Sequence, residues 1–220
     1  IHDDQGRVTI PGFYDGVPEL PADIRVDLAG LNLTAEQFLG QVGLKVPAGE
    51  KDRMLIEQIT TRPTAEINGI IGGYTGEGAK TVLPGKSMAK VSCRLVPGQD
   101  PKQIEQRMKA HVKKVAPAGV KVTVTHLHGG KPWRAELDGP LFDAAQIALK
   151  AAFKRDAVIV GEGGSIPVVG DFERILKAPV LLVGFGLPGE NAHAPDEWIS
   201  VDNLRRGLRA MAVLYEEVAK

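Results

Sequence analysis

Between residues 139 and 220 two kinds of segment alternate, and this alternation limits the possible folds more than any other feature of the chain. "GPLFDAAQIALKAAF" and "SVDNLRRGLRAMAVLYEEVAK" carry apolar residues at helical spacing. Between them, "AVIV" and "APVLLVGFG" are apolar throughout, the composition of strands buried on both faces. "SIPVVGDFERIL" reads as one more helix, capped by Ser165. Helices alternating with wholly apolar strands imply an α/β architecture, a mostly parallel sheet covered on both sides. Two such strands are too few for a complete doubly wound domain, so residues 131–220 read as the end of a larger sheet.

The chain before residue 130 has a different grammar. Turn residues surround short amphipathic pieces over residues 1–63, which read as irregular or partly helical. "AEINGII" is rich in β-formers, and "YTGEGAKTVLPG" is a glycine-punctuated connection. In "MAKVSCRLV", Ala89, Val91, Cys93 and Leu95 alternate with Lys90, Ser92 and Arg94, the period of a half-buried strand. Asp100-Pro101 opens a helix whose stripe is Ile104, Met108, Val112 and Val115, and "VKVTVTH" follows as another alternating strand. These elements predict an antiparallel sheet with a helix on one side, an α+β layer with its boundary near residue 130.

Charge narrows the function. Lys plus Arg and Asp plus Glu both number 27 among 220 residues, so the chain lacks the basic excess of a nucleic-acid or membrane-surface binder. No apolar run approaches the roughly 20 residues of a membrane span. The single cysteine, Cys93, rules out an internal disulfide framework and suits a cytoplasmic setting. The opening "IHDDQGRV" has no initiator Met or signal peptide and reads as a turn leading out of an element already finished, so the chain is expected to be a fragment.

Two loops stand out because ligands of open parallel sheets bind beyond the carboxyl ends of strands. "LPGENAHAPDEW" follows the second apolar run and sets His193 among carboxylates and amides, placed to act as a metal ligand or a general acid–base. A histidine tying the loop down by hydrogen bonds explains the same pattern, and one imidazole is no metal site by itself. "GEGGSIP" follows the first run: Gly161, Gly163 and Gly164 allow close backbone approach, Ser165 caps a helix, and Glu162 suits an ammonium group. A glycine-rich turn with a capping serine is the plainer account. Arg94, on the polar face of its strand, suits a carboxylate or simply water. Cys93 alternates inward and reads as a small buried apolar residue, while His126 shares the valine face and is read as structural.

"GRVTIPGFYDGV", "RPTAEINGIIGGYTGEGAKTVLPGKSMAKVSCRLVPGQDP", "GEGGSIPVVGDFE" and "NAHAPDEW", in that order, resemble the dinuclear-metal peptidase family M20, in its branch of carnosinase-like and related cytosolic dipeptidases. The resemblance covers nearly the whole chain but only the second half of such an enzyme. It implies an α/β catalytic domain with two Zn²⁺ or Mn²⁺ ions, interrupted by an α+β lid that mediates homodimerisation. Residues 1–130 would be that lid without its first strand and helix, and residues 131–220 the C-terminal part of the catalytic domain. By the same resemblance His193 is the last metal ligand and Glu162 meets the substrate's amino group. Gly163, Gly164 and Ser165 touch the substrate backbone, and Thr81 and Arg94 grip its carboxylate as the lid closes.

The chain departs from the family pattern at Gly161, where relatives often carry Arg, and at Asp196, where they have Asn. Its one His-x-Asp match, His2-Asp3-Asp4, lies in the leading turn, and it has no Glu-Glu pair in a suitable context and no His-Ser-Gly lid segment. The general base and most metal ligands are therefore expected in a missing N-terminal half, with the chain alone inactive and holding no metal stably. The expected function is dipeptide hydrolysis by the complete enzyme. The alternatives are a non-catalytic, lid-derived dimerisation module and an N-acyl amino-acid deacylase.

Overall fold

The computed structural model describes residues 1–161, 166, 168–187 and 189–220, with Gln41 described by its backbone alone. It divides into two compact units, one built mainly of Ile1–Gly40 and Leu44–Pro132, the other mainly of Trp133–Val160 and Val168–Lys220.

The first unit contains three short helices, α1 (Ala22–Gly30), α2 (Ala35–Leu39) and α3 (Leu55–Thr60), then strands β1 (Thr64–Gly72) and β2 (Ser87–Arg94) and helix α4 (Pro101–Val115). Asp100 caps α4 by accepting from the amides of Lys102 and Gln103 at 2.9 and 3.0 Å, with Pro101 in the first turn where no amide donor is needed. Ile104 of α4 joins Val8, Ile10, Phe13 and Ala65 in the core, with Tyr14, Cys93, Leu95 and Met108 packed around them. Phe13 is wholly buried, and a side chain of this kind contributes roughly 1.5–3 kcal/mol on leaving water. Buried Gln99 ties the Phe13 turn down, donating to the Phe13 carbonyl at 2.6 Å and accepting from the Val96 amide at 2.9 Å. Gly16 and Gly98, with φ of 82° and 95°, cross backbone on backbone, and a Cβ on either would strike the other's carbonyl.

The irregular N-terminal segment is held largely by ion pairs. Arg62 grips the buried Glu50 carboxylate with two hydrogen bonds of 3.0 Å, while Arg7 and Arg53 stand 3.9 Å from it. Arg25 similarly reaches buried Glu57 at 2.9 Å, and Glu57 also accepts from the Met54 amide at the start of α3. The Tyr14 ring lies under the guanidinium groups of Arg7 and Arg62, at 5.7 and 5.3 Å.

The strands pair antiparallel, with Thr64 opposite Arg94 and Gly72 opposite Ser87, and an irregularity between Ile67 and Gly69. Burial is confined to the Ala65–Cys93 end, next to the core; Ile70, Ile71, Met88 and Val91 are exposed. The expected inward alternation of Ala89 and Val91 therefore fails, because the core covers only one end of the ladder. Val115, expected in the α4 stripe, is the last residue of the helix and exposed. The predicted strand at 120–126 is not paired, and Val120 and Val122 are exposed. Alternation marks a segment able to form a strand, but a ladder needs a neighbour in register.

The second unit contains α5 (Pro140–Phe153), α6 (Val168–Leu176) and α7 (Val201–Val218). Helix α5 buries Ala144, Ala145, Ala148 and Ala152, and α7 buries Gly207 and Ala210, so these two helices approach closely. Phe185 stacks on Phe153 at 5.9 Å and lies against Gly207, where a Cβ would come within 2.8 Å of the ring. Neither apolar run forms a ladder among the described residues, and Val158, Ile159, Val160 and Leu182 are exposed. The architecture is α/β with one small antiparallel sheet of two strands; the parallel sheet is not formed among the described residues. The physical reason is the same: an apolar run records a capacity for burial, and the ladder requires partner strands.

Removing one partner of a buried ion pair strands the other charge. Arg62→Met is expected to lower stability by about 3 kcal/mol in urea denaturation, with much of the loss recovered in Glu50→Leu/Arg62→Met. At the surface of the same cluster, hydrogen bonds from Arg53 and Arg7 hold the Glu19 and Asp52 carboxyls below their ordinary range. Because folding lowers these values, their contribution is present above the ordinary carboxylate range and is lost as pH falls through the lowered values, which an acid titration of thermal stability checks.

Candidate functional site

His193 sits in the loop between Phe185 and α7, and this loop is tied at its base. The Trp198 amide donates to the Glu190 carbonyl at 3.0 Å, and the Trp198 indole donates to the Gly189 carbonyl at 2.9 Å. One Glu190 carboxylate oxygen accepts from the Ser200 amide at 3.2 Å. Ser200 in turn caps α7 by accepting from the Asn203 amide at 3.3 Å, and the Asn203 side chain donates to the Phe185 carbonyl at 3.0 Å. The loop is thus registered on the first turn of α7.

Beyond this base the chain turns through left-handed backbone at Asn191, His193 and Asp196, with φ of 55°, 63° and 58°. The left-handed region costs a residue with a Cβ about 1–2 kcal/mol, and Asn, Asp and His enter it more readily than most, so the three positions carry residues suited to the turn. The loop presents the imidazole exposed.

An exposed imidazole with its ring nitrogens in reach of a cation is chemically fit to be one metal donor. A transition-metal site needs three or four. Among the described residues no group of three or more His, Cys, Asp or Glu side chains could hold a metal ion, so His193 fits as one member of a donor set and no complete set is present.

Glu162, Gly163, Gly164 and Ser165 lie outside the described residues. Gly161 before them is described: a Cβ there would sit 2.5 Å from the Thr60 carbonyl oxygen. A side chain at this position would meet that carbonyl. Arg94 is the exposed last residue of β2. Thr81 is exposed in the connection between the strands, near Lys80, whose ammonium lies 5.1 Å from the Tyr74 ring. The connection ends at Ser87, and the run of β2 from there to Arg94 covers roughly 23 Å, so the ladder alone does not bring Thr81 and Arg94 side by side. His126, read as structural on a valine face, is half exposed with Nδ1 3.6 Å from Glu105 on α4. The brace formed by Glu190, Trp198 and Asn203 was not legible in the motif, although Ser200 followed three residues later by Asn203 at a helix start was a visible signal.

A family model described as "Peptidase family M20/M25/M40" matches residues 23–217, nearly the whole chain. The chain belongs to this family. Among curated M20 proteins, the Cys-Gly metallodipeptidase dug1 of Schizosaccharomyces pombe is 31% identical over 217 residues, covering 97% of this chain and 46% of the relative. The M20 family metallo-carboxypeptidase Sso-CP2 from Sulfolobus solfataricus superposes with a TM-score of 0.81 at 30% identity, covering 97% of this chain and 48% of that one. Human carnosine dipeptidase 1 gives a TM-score of 0.83 at 25% identity, covering 100% and 47%. The chain thus spans about half the length of the relatives it matches. No helix among the described residues is long and apolar enough to cross a membrane.

Cys93 has no place in this chemistry. Burial, with a lesser contribution from Glu66, pushes its thiol up to about 11. The folded protein therefore holds it neutral, and the stability this contributes is lost as pH rises from the ordinary thiol range towards 11. At pH 8, alkylation of the folded chain is expected to run about 100-fold slower than of the urea-unfolded chain, measured by mass spectrometry.

Proposed function

We propose that this chain is part of a divalent-metal dipeptidase, and that it contributes the lid and dimerisation domain (residues 1–130) and the C-terminal part of the catalytic domain (residues 131–220). The observation that carries the reading is His193, an exposed imidazole held in left-handed backbone on a loop tied to α7, in a chain of the M20 family.

In this reading His193 is one ligand of a pair of Zn²⁺ or Mn²⁺ ions. When bound, the metal supplies polarisation of the scissile carbonyl and a lowered pKa for the attacking water. Glu162 meets the free amino group of the substrate, while Gly163, Gly164 and Ser165 contact its backbone. Arg94 and Thr81 hold the carboxylate end, as separate contacts, and Arg94 has the planar donor geometry that suits a carboxylate. Two of the relatives favour such a grip, since a dipeptidase and a carboxypeptidase both work beside a free C-terminal carboxylate. Holding both ends of the substrate would make lid closure a measure of its length.

The remaining ligands and the general base would come from the N-terminal half of the enzyme, so the chain alone is proposed to be inactive and to bind no metal stably. The complete protein is proposed to form a homodimer through the lid.

The test is metal analysis of the full-length protein with hydrolysis of Cys-Gly and β-Ala-His. His193→Ala is expected to lower bound metal and to cut kcat/KM at least 100-fold while the protein stays folded by circular dichroism. Undiminished metal and activity in that variant would remove His193 from the site. Hydrolysis of N-acyl amino acids in place of both dipeptides would move the assignment to a deacylase.

A further inference from the structure

We infer that Glu190 is a positioning residue for His193, acting through the amide of Ser200; the inference rests on the reading of His193 as a metal donor. Two hydrogen bonds meet at this residue. Glu190 accepts from the Ser200 amide at 3.2 Å, and its own carbonyl accepts from the Trp198 amide at 3.0 Å. Glu190 therefore joins the incoming limb of the loop to the outgoing limb through both its backbone and its side chain. The other carboxylate oxygen faces Gly186, where a Cβ would lie 3.3 Å away, so the side chain is confined between the end of the apolar run and the start of α7.

The placement has an electrostatic logic. Ser200 is the N-cap of α7, an eighteen-residue helix, and a carboxylate on its amide lies at the positive end of the helix dipole. Helix α7 is in turn seated on α5 by the small residues at their contact. His193, itself in left-handed backbone, is thereby tied to the helical pair by a set of bonds that includes a carboxylate three residues before it. Asp196 and Glu197, the other acidic residues of the loop, lie on its exposed span. A metal donor on a loop depends on such outer supports, whose loss typically costs about 10–100-fold in metal affinity.

The required property is an acceptor oxygen, and the amide of glutamine retains one. The experiment is a Zn²⁺ titration of the full-length protein against a competing chelator, with hydrogen exchange at the Ser200 amide read in parallel, for wild type, H193A, E190A and E190Q. The expected result is that E190A loses Ser200 protection and binds Zn²⁺ about 10–100-fold more weakly, whereas E190Q stays within about threefold of wild type on affinity and keeps the protection. Wild-type affinity in E190A alongside weakened H193A overturns the role of Glu190 and leaves the metal reading intact. Wild-type affinity in H193A overturns the metal reading and this inference with it. Equal loss in E190Q and E190A also overturns it, since the acceptor would not then be what matters. Should E190A not fold, E190D, whose shorter side chain draws the carboxylate back from the Ser200 amide, takes its place, and wild-type Zn²⁺ affinity in E190D with the Ser200 protection lost overturns the role of Glu190.

Discussion

Phe185 lies against Gly207 because that residue has no side chain, and much of the second unit follows from this contact. The ring fills the space a Cβ would take and stacks on Phe153 at the end of α5. Its backbone carbonyl is then held by the Asn203 side chain one turn before Gly207. The end of an apolar run is thus locked to the start of a helix, and the loop between them has little freedom. His193 inherits its place from packing rather than from the few bonds it could make itself. Close packing of small residues against an aromatic ring transmits position well, because protein interiors yield little.

The first unit solves a different problem with a different interaction. Its N-terminal segment is organised in part around two interior carboxylates, Glu50 and Glu57, each gripped by an arginine. Burying such charges costs several kcal/mol per ion, and the cost is offset only where the geometry is good and the remaining lone pairs are used. Here the paired bonds from Arg62, the flanking Arg7 and Arg53 and the Tyr14 ring supply that geometry. The gain is specificity of place more than stability. It brings residues distant in sequence to one point and leaves Phe13 buried beside Ala65 and Ile104.

Neither unit carries a complete reaction centre among its described residues. Among the described residues no group of three or more His, Cys, Asp or Glu side chains could hold a metal ion, and Arg94 and Thr81 belong to a different unit from His193. Apolar side chains at 158–160 and in the β1–β2 hairpin remain exposed although their composition is that of buried strands. Both facts accord with a chain that spans about half the length of the relatives it matches.

The sequence by itself determined where three of the helices begin. Asp100-Pro101 starts α4, Ser200 starts α7 and Gly139-Pro140 starts α5, because capping and φ restriction act within a few residues. It also pointed to the family, through four motifs in order, and to Cys93 as an inward residue of β2, although burial there comes from the core at one end of the ladder. Only the tertiary structure decided that β1 and β2 pair while 120–126 does not, that Gly161 faces the Thr60 carbonyl, and that Glu190 braces the His193 loop. Each of these depends on residues meeting across the chain. Periodicity reports which face of a segment prefers to be buried, but a ladder, a steric limit or a brace exists only once the partner atom has arrived.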